Sequence, residues 1–157
     1  MDDWQLPWDG GCRCSQTRIR ITEPPLLAMA CHCTGCQRMS ASAFSLSIAI
    51  PRNGFYVTSG DPVIGGMHGA TRHFFCPHCK SWMFTWLDVS TEFVNVRPST
   101  LDHHDWFVPF VETYTDEKLP WASTPAVHSY RGLPHLDDYA RLIEAYARQA
   151  ARPGVRS

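Results

Sequence analysis

Cys31-His32-Cys33-Thr34-Gly35-Cys36 crowds three thiols into six residues, and this run constrains the chain more than any other stretch. Cys12-Arg13-Cys14 stands upstream and Cys76-Pro77-His78-Cys79 downstream, so three clusters hold all seven cysteines. Paired as disulfides, seven would leave one thiol over. Four thiolates close a tetrahedral zinc site, and three leave one position open for water or substrate. The clustering therefore predicts two zinc ions per chain, one in a closed site and one in an open site.

The partition of ligands is less direct. A C-x-x-C turn supplies two thiolates from one tight turn, which favours Cys33/Cys36 and Cys76/Cys79 as pairs. A C-x-C on a strand puts residues i and i+2 on one face, so Cys12/Cys14 and Cys31/Cys33 can each aim at one point. Cys33 can serve only one of its two pairings. Either Cys33, Cys36, Cys76 and Cys79 form the closed site, or Cys12, Cys14, Cys76 and Cys79 do. The second is preferred, because Cys31, Cys33 and Cys36 can form a cap locally while the outer pairs staple distant strands. The interval from Cys36 to Cys76 also exceeds the 15–20 residues of a typical zinc ribbon.

The rest of the chain reads as mainly β. Residues 1–9 are expected to be a loose lead-in, and Gly10-Gly11 a turn signal. Alternation or short apolar runs predict strands at Thr17–Thr22, Leu26–Ala30, Phe44–Ile50, Phe55–Thr58, Thr71–Phe75, Trp82–Trp86, Phe93–Val96 and Val108–Thr115. Gln37–Ala43 is expected as a short helical turn. Cys76 and Cys79 then fall at a hairpin tip. Gly65-Gly66-Met67-His68-Gly69 lacks both a following helix and Gly-Lys-Ser/Thr, which rejects a phosphate loop. Leu136, Tyr139, Ala140, Ile143, Tyr146 and Ala147 recur at helical spacing behind Asp137 and Asp138. The expected organisation is a lead-in (1–9), a zinc-binding domain (10–134), an amphipathic helix packed on it (135–150) and a tail (151–157).

Gly11-Cys12-x-Cys14, Cys31-His32-Cys33-x-x-Cys36-Gln37-Arg38, Phe75-Cys76-x-x-Cys79, Leu101-Asp102 and Leu119-Pro120-Trp121 together resemble the glutathione-dependent formaldehyde-activating (GFA) family. That family includes the domain of centromere protein V and has an Mss4-like fold of small β-sheets. The resemblance covers roughly residues 9–121. It implies that Cys12, Cys14, Cys76 and Cys79 hold a structural zinc, and that Cys31, Cys33 and Cys36 hold a catalytic one. It also implies a carbon–sulfur lyase that joins glutathione and formaldehyde as S-hydroxymethylglutathione, or acts on a similar thiol adduct. The family usually has glycine after each outer pair; Ser15 and Lys80 stand there instead.

Glutathione carries two carboxylates, so a site for it needs cations. Arg38, two residues beyond the triad, is the first candidate for binding substrate, with Arg18, Arg20, Arg52 and Arg72 behind it. His32 and His78 lie inside clusters but are expected to point away from the metals. His103-His104-Asp105 reads as a surface loop, and Trp82, Phe84, Trp86, Trp106 and Trp121 read as core aromatics, one or two of them lining the pocket.

With 14 basic and 15 acidic residues the chain has no electrostatic footprint for nucleic acid. Its start lacks a signal-peptide pattern, and no apolar run is long enough for a membrane span. The expected setting is cytoplasmic, where clustered cysteines bind metal more often than they pair. Expected partners are a small-molecule thiol such as glutathione, with a homodimer admitted, no nucleic acid and no membrane. The competing reading is a non-catalytic, zinc-stabilised protein-interaction module of the same fold, which a filled fourth position on the triad zinc would favour.

Overall fold

Apolar alternation in this chain builds two sheets that share one core. The computed structural model describes residues 3–87 and 92–154. The first two residues of the expected lead-in and the last three of the expected tail lie outside that range.

Eleven strands run in chain order among the described residues: β1 (Trp8–Gly11), β2 (Arg18–Ile21), β3 (Leu27–Cys31), β4 (Ser45–Pro51), β5 (Phe55–Ser59), β6 (Val63–His68), β7 (Thr71–Phe75), β8 (Trp82–Trp86), β9 (Phe93–Val96), β10 (Val111–Thr113) and β11 (His128–Ser129). Helix α1 spans Thr34–Ser40 and α2 spans Leu136–Gln149. Strands β1, β2 and β5 form a small antiparallel sheet. The others form an eight-stranded sheet in the order β11-β10-β3-β4-β9-β8-β7-β6. It is antiparallel except at one end, where β10 runs parallel to both β3 and β11. This is the Mss4-like, mainly β fold that the sequence pointed to. No helix among the described residues is long and apolar enough to cross a membrane.

The sheets meet through Ile19 and Ile21 on one side and Ile48, Ile50, Val94 and Val96 on the other, all fully buried. Gly10 bridges to Leu101, and a Cβ there would collide with the Thr100 carbonyl oxygen. Only glycine lets these two backbones approach so closely.

Several expectations are corrected. Strand β4 does not divide core from solvent by alternation, because Ser45 and Ser47 are as buried as Ile48 and Ile50. A strand in mid-sheet covered on both faces loses its period-2 contrast. Strand β10 is three residues long, much shorter than Val108–Thr115. Helix α1 begins earlier than expected, and its end at Ala41 is marked by a left-handed φ of 50°.

In α2 the buried positions are Leu142 and Tyr146, while Leu136 is 88% exposed and Ala140 and Ala147 also face solvent. The packed face is thus rotated from the one expected. The reason lies in the lead-in, which is not loose. Trp4 and Trp8 are buried, Trp8 Nε1 donates to the Trp4 carbonyl at 2.8 Å, and Trp4 stacks on Tyr146 at 5.8 Å. Trp106 closes this aromatic group, 4.9 Å from Trp8 and 6.0 Å from Trp4. The start of the tail is held too, with the Arg152 guanidinium 3.7 Å above the Trp4 ring. Trp4→Ala is therefore expected to lower unfolding free energy by about 3–5 kcal/mol, as for other buried aromatics. Denaturant titration of the metal-loaded protein checks this; a change within error would mean that the lead-in only rests on the helix.

Candidate metal centre and adjoining cleft

Two hairpin tips make the first cluster. The β1–β2 connection carries Cys12 and Cys14, and the β7–β8 connection carries Cys76 and Cys79. Their four sulfurs lie within 4.8 Å of one another. Cys14 Sγ stands 3.5 Å from Cys12 Sγ and 3.7 Å from Cys76 Sγ. A tetrahedron of sulfurs around a centre at about 2.3 Å has edges of about 3.8 Å, so these thiols are spaced for a metal ion. Each tip folds back on itself: Ser15 N–H donates to the Cys12 carbonyl and Lys80 N–H to the Cys76 carbonyl, both at 3.1 Å. Thr17 N–H donates to Cys12 Sγ at 3.2 Å, and Arg13 N–H reaches across to Ser81 Oγ at 3.1 Å.

The second cluster is local. Cys31 ends β3, Cys33 caps α1 and Cys36 sits in its first turn, with the three sulfurs again within 4.8 Å of one another. Cys33 Sγ accepts from Cys36 N–H at 3.3 Å. Thr34 N–H and Oγ1 both donate to Glu117 Oε1 at 3.0 Å, which pins the helix start. A hydrogen bond from Cys36, outweighing burial, pulls the Cys31 thiol down to about 5, and Cys36 is pushed up in return.

His32 turns away from the triad. Fully buried, its Nε2 meets Glu112 Oε2 at 2.9 Å and its ring packs edge-on against Phe44. Burial alone would raise the Glu112 carboxyl, but hydrogen bonds from Ser129, His32 and Thr124 hold it below its usual value. His78 and the exposed His103-His104-Asp105 loop also stand apart. The two cysteine groups are the metal-competent clusters found among the described residues.

A family model described as glutathione-dependent formaldehyde-activating enzyme matches residues 7–117, a span that takes in all seven cysteines. The chain belongs to the GFA family. No curated protein matches its sequence. A structural-genomics crystal structure of a Rhodobacter sphaeroides protein matches with a TM-score of 0.51 at 19% identity, covering 60% of this chain and 87% of that one. That likeness concerns the fold.

The two departures from the GFA pattern now have a geometric reading. Ser15 and Lys80 take φ of 66° and 61°, the left-handed region where glycine is free of strain. The knuckles keep their shape and the side chains bear the strain.

The arginines proposed for a carboxylate are mostly occupied. Arg18 pairs with Asp102 through both guanidinium nitrogens, and Arg20 with Asp9. Arg52 lies 4.5 Å over Trp86. Arg38 is exposed and lines a shallow cleft with Gln37, Leu119 and Trp121. Trp121 is 76% exposed, contrary to its expected place in the core.

The residue missed is Arg97. Only 8% exposed, it follows β9 and places its guanidinium 4.1 Å over Trp82. Its Nη2 donates to Thr85 Oγ1 at 3.2 Å, and Trp82 Nε1 donates to the same oxygen at 3.3 Å. The Thr85 hydroxyl hydrogen is then left for His73 Nδ1, 2.9 Å away. His73 must be neutral for this, and burial with the Arg97 and His68 charges pulls it down to about 4. Burial pulls Arg97 itself down to about 10, against the opposing Cys36 and Cys31 charges, so it stays cationic at neutral pH. The signal for Arg97 in the sequence was slight: one arginine directly after the short strand Phe93–Val96.

Lys80→Gly is expected to raise Tm by about 1–4 °C, as relief of left-handed strain exceeds the added chain entropy. Differential scanning calorimetry of the metal-loaded protein checks it, and a fall in Tm would show that Lys80 Nζ, bonded to the Pro77 carbonyl at 2.7 Å, contributes more than the strain costs.

Proposed function

We propose that this GFA-family chain is a zinc-dependent carbon–sulfur lyase acting on glutathione or a similar thiol adduct, in the manner of an S-hydroxymethylglutathione synthase. The observation that carries the reading is the inequality of the two clusters, four thiols in one and three in the other. His32, inside the triad in sequence, turns its Nε2 to Glu112 and lies outside the thiol group. The triad therefore suits an open site, held by Cys31, Cys33 and Cys36, and Cys12, Cys14, Cys76 and Cys79 suit a closed structural one. That inequality weighs against the interaction-module reading, which a fourth protein ligand at the triad would favour.

In the overall reaction the thiol sulfur bonds to the formaldehyde carbon, the carbonyl oxygen gains a proton and the thiol loses one. Zinc at the triad would hold the incoming sulfur as thiolate at neutral pH, where a free thiol is mostly protonated. The chain's part is positioning. The end of β3 and the start of α1 fix Cys31, Cys33 and Cys36, and the His32–Glu112 pair braces the junction from beneath. Formaldehyde addition is intrinsically easy, so orientation accounts for most of the acceleration required. Arg38, which meets no carboxylate among the described residues, would receive one end of glutathione across the Trp121 cleft.

Two measurements test this. Zinc-loaded protein is expected to carry two ions, falling to one in Cys36→Ser, as read by metal analysis after gel filtration. Exchange NMR on glutathione and formaldehyde is expected to show faster interconversion with S-hydroxymethylglutathione for the wild type and the uncatalysed rate for Cys36→Ser. Equal rates for both, with two zinc ions bound to the wild type, would overturn the proposed reaction.

A further inference from the structure

A cleft of about 640 Å³ runs from the four-thiol tips to the end of the triad helix α1, within the size range of small-molecule sites. Ser40 and Ser45 form its near wall. Ser40 Oγ donates to the Cys36 carbonyl at 2.7 Å, and Ser45 stands opposite Cys31 on the neighbouring strand. The far wall comes from the four-thiol tips, through Cys12, Arg13, Lys80 and Ser81. Four cations line the cleft, Arg13, Arg18, Lys80 and Arg97, against a single acid, Asp102, which Arg18 already engages.

Arg97 stands out among these. Arg18, Arg20, Arg131, Arg141 and Arg148 each meet a carboxylate at the surface. Arg97, more than nine-tenths buried, meets none among the described residues, and its Nε has no hydrogen-bond partner. The triad thiols Cys36 and Cys31 offset part of its burial from a distance, but a guanidinium out of water with no hydrogen-bonded carboxylate remains costly. The arrangement makes sense if a carboxylate arrives with a ligand, and the planar fork of arginine suits one.

We propose that this cleft binds the carboxylate of an acidic, peptide-like thiol substrate, with Arg97 as the side chain that recognises it. The proposal deepens the reading above and rests on the triad taking the thiol end. The sheet sets the spacing. Cys31 on β3 faces Ser45 on β4, and β4 pairs with β9, which Arg97 follows. With strands about 4.8 Å apart and Arg97 in register two residues along from Cys31, the two backbones lie roughly 12 Å apart. The arginine side chain spans part of that distance. What remains suits a thiol separated from its carboxylate by a peptide unit, as in glutathione, better than free cysteine or mercaptoacetate.

The test uses two ligands that separate the ends of the molecule. S-methylglutathione keeps both carboxylates and has no free thiol; glutathione diethyl ester keeps the thiol and has no carboxylate. Calorimetry on the zinc-loaded full chain is expected to show S-methylglutathione binding, weakened by roughly 10- to 100-fold in Arg97→Met, the range for loss of a charged hydrogen bond. Arg97→Lys is expected to fall between, since it keeps the charge and loses the fork. Glutathione is expected to outbind its diethyl ester by a similar factor in the wild type and by much less in Arg97→Met. Should the variants not fold, the Arg97 Nε–H resonance of the wild type still reports, and it is expected to move on adding S-methylglutathione.

Equal S-methylglutathione affinity in wild type and Arg97→Met would overturn the proposal. So would an absence of binding to the wild type, or an Nε–H signal that stays put at saturation. The two readings fail separately. Loss of formaldehyde exchange with S-methylglutathione binding intact would remove the catalytic reading and leave this one. Catalysis with no dependence on Arg97 or on the carboxylates would do the reverse.

Discussion

The convergence of two hairpin tips on four thiols is the constraint from which the rest of the structure follows. The β1–β2 tip belongs to the small sheet and the β7–β8 tip to the large one, and their sulfurs stand 3.5–3.7 Å apart along the Cys12–Cys14–Cys76 path. That contact fixes how the sheets face each other and so encloses the isoleucine-rich core between them. It also places Lys80 and Arg13 opposite the triad helix. The cleft is therefore bounded by the four-thiol tips on one side and by residues flanking the triad, Ser40 and Ser45, on the other, and its walls come from different sheets.

Chemistry and architecture divide along the same line. The four-thiol cluster has every sulfur supplied from hairpin turns with left-handed residues behind them, an arrangement suited to holding an ion and little else. The triad sits where a strand hands over to a short helix, with a buried acid–imidazole pair beneath it and two serines beside it. The GFA match covers both clusters, and the Arg97 network lies within the matched span as well.

What the sequence disclosed, and what it hid, follows from the range of the interactions. Cysteine clusters are local signals, so spacing narrowed the thiols to two partitions, and the family resemblance pointed to the grouping Cys12/Cys14/Cys76/Cys79 and Cys31/Cys33/Cys36 that the structure brings together. Strands with one solvated face, such as β2 with Ile19 and Ile21 inward and Arg20 outward, were legible for the same reason. Strand β4 was found but its faces were misjudged, because burial on both sides makes serines and isoleucines equivalent. The buried stripe of α2 depends on Trp4, more than 130 residues earlier, and periodicity within the helix could not favour Leu142 over Leu136. Arg97 was invisible for a related reason. Its isolation is defined by Trp82, Thr85 and His73 on neighbouring strands, and nothing beside it in sequence marks it.

The separation of the two clusters along the chain also sets an order in time. Cys31, Cys33 and Cys36 are covered by one short loop, whereas Cys14 and Cys76 are 62 residues apart. Closing the longer loop carries a larger entropic penalty and requires both hairpins to exist first. The three triad sulfurs can therefore come together before the other four, although Glu112 and Glu117 brace that helix only later in synthesis. The four-thiol site must wait until β7 and β8 have been made and paired, and the packing of α2 on Trp4 comes later still.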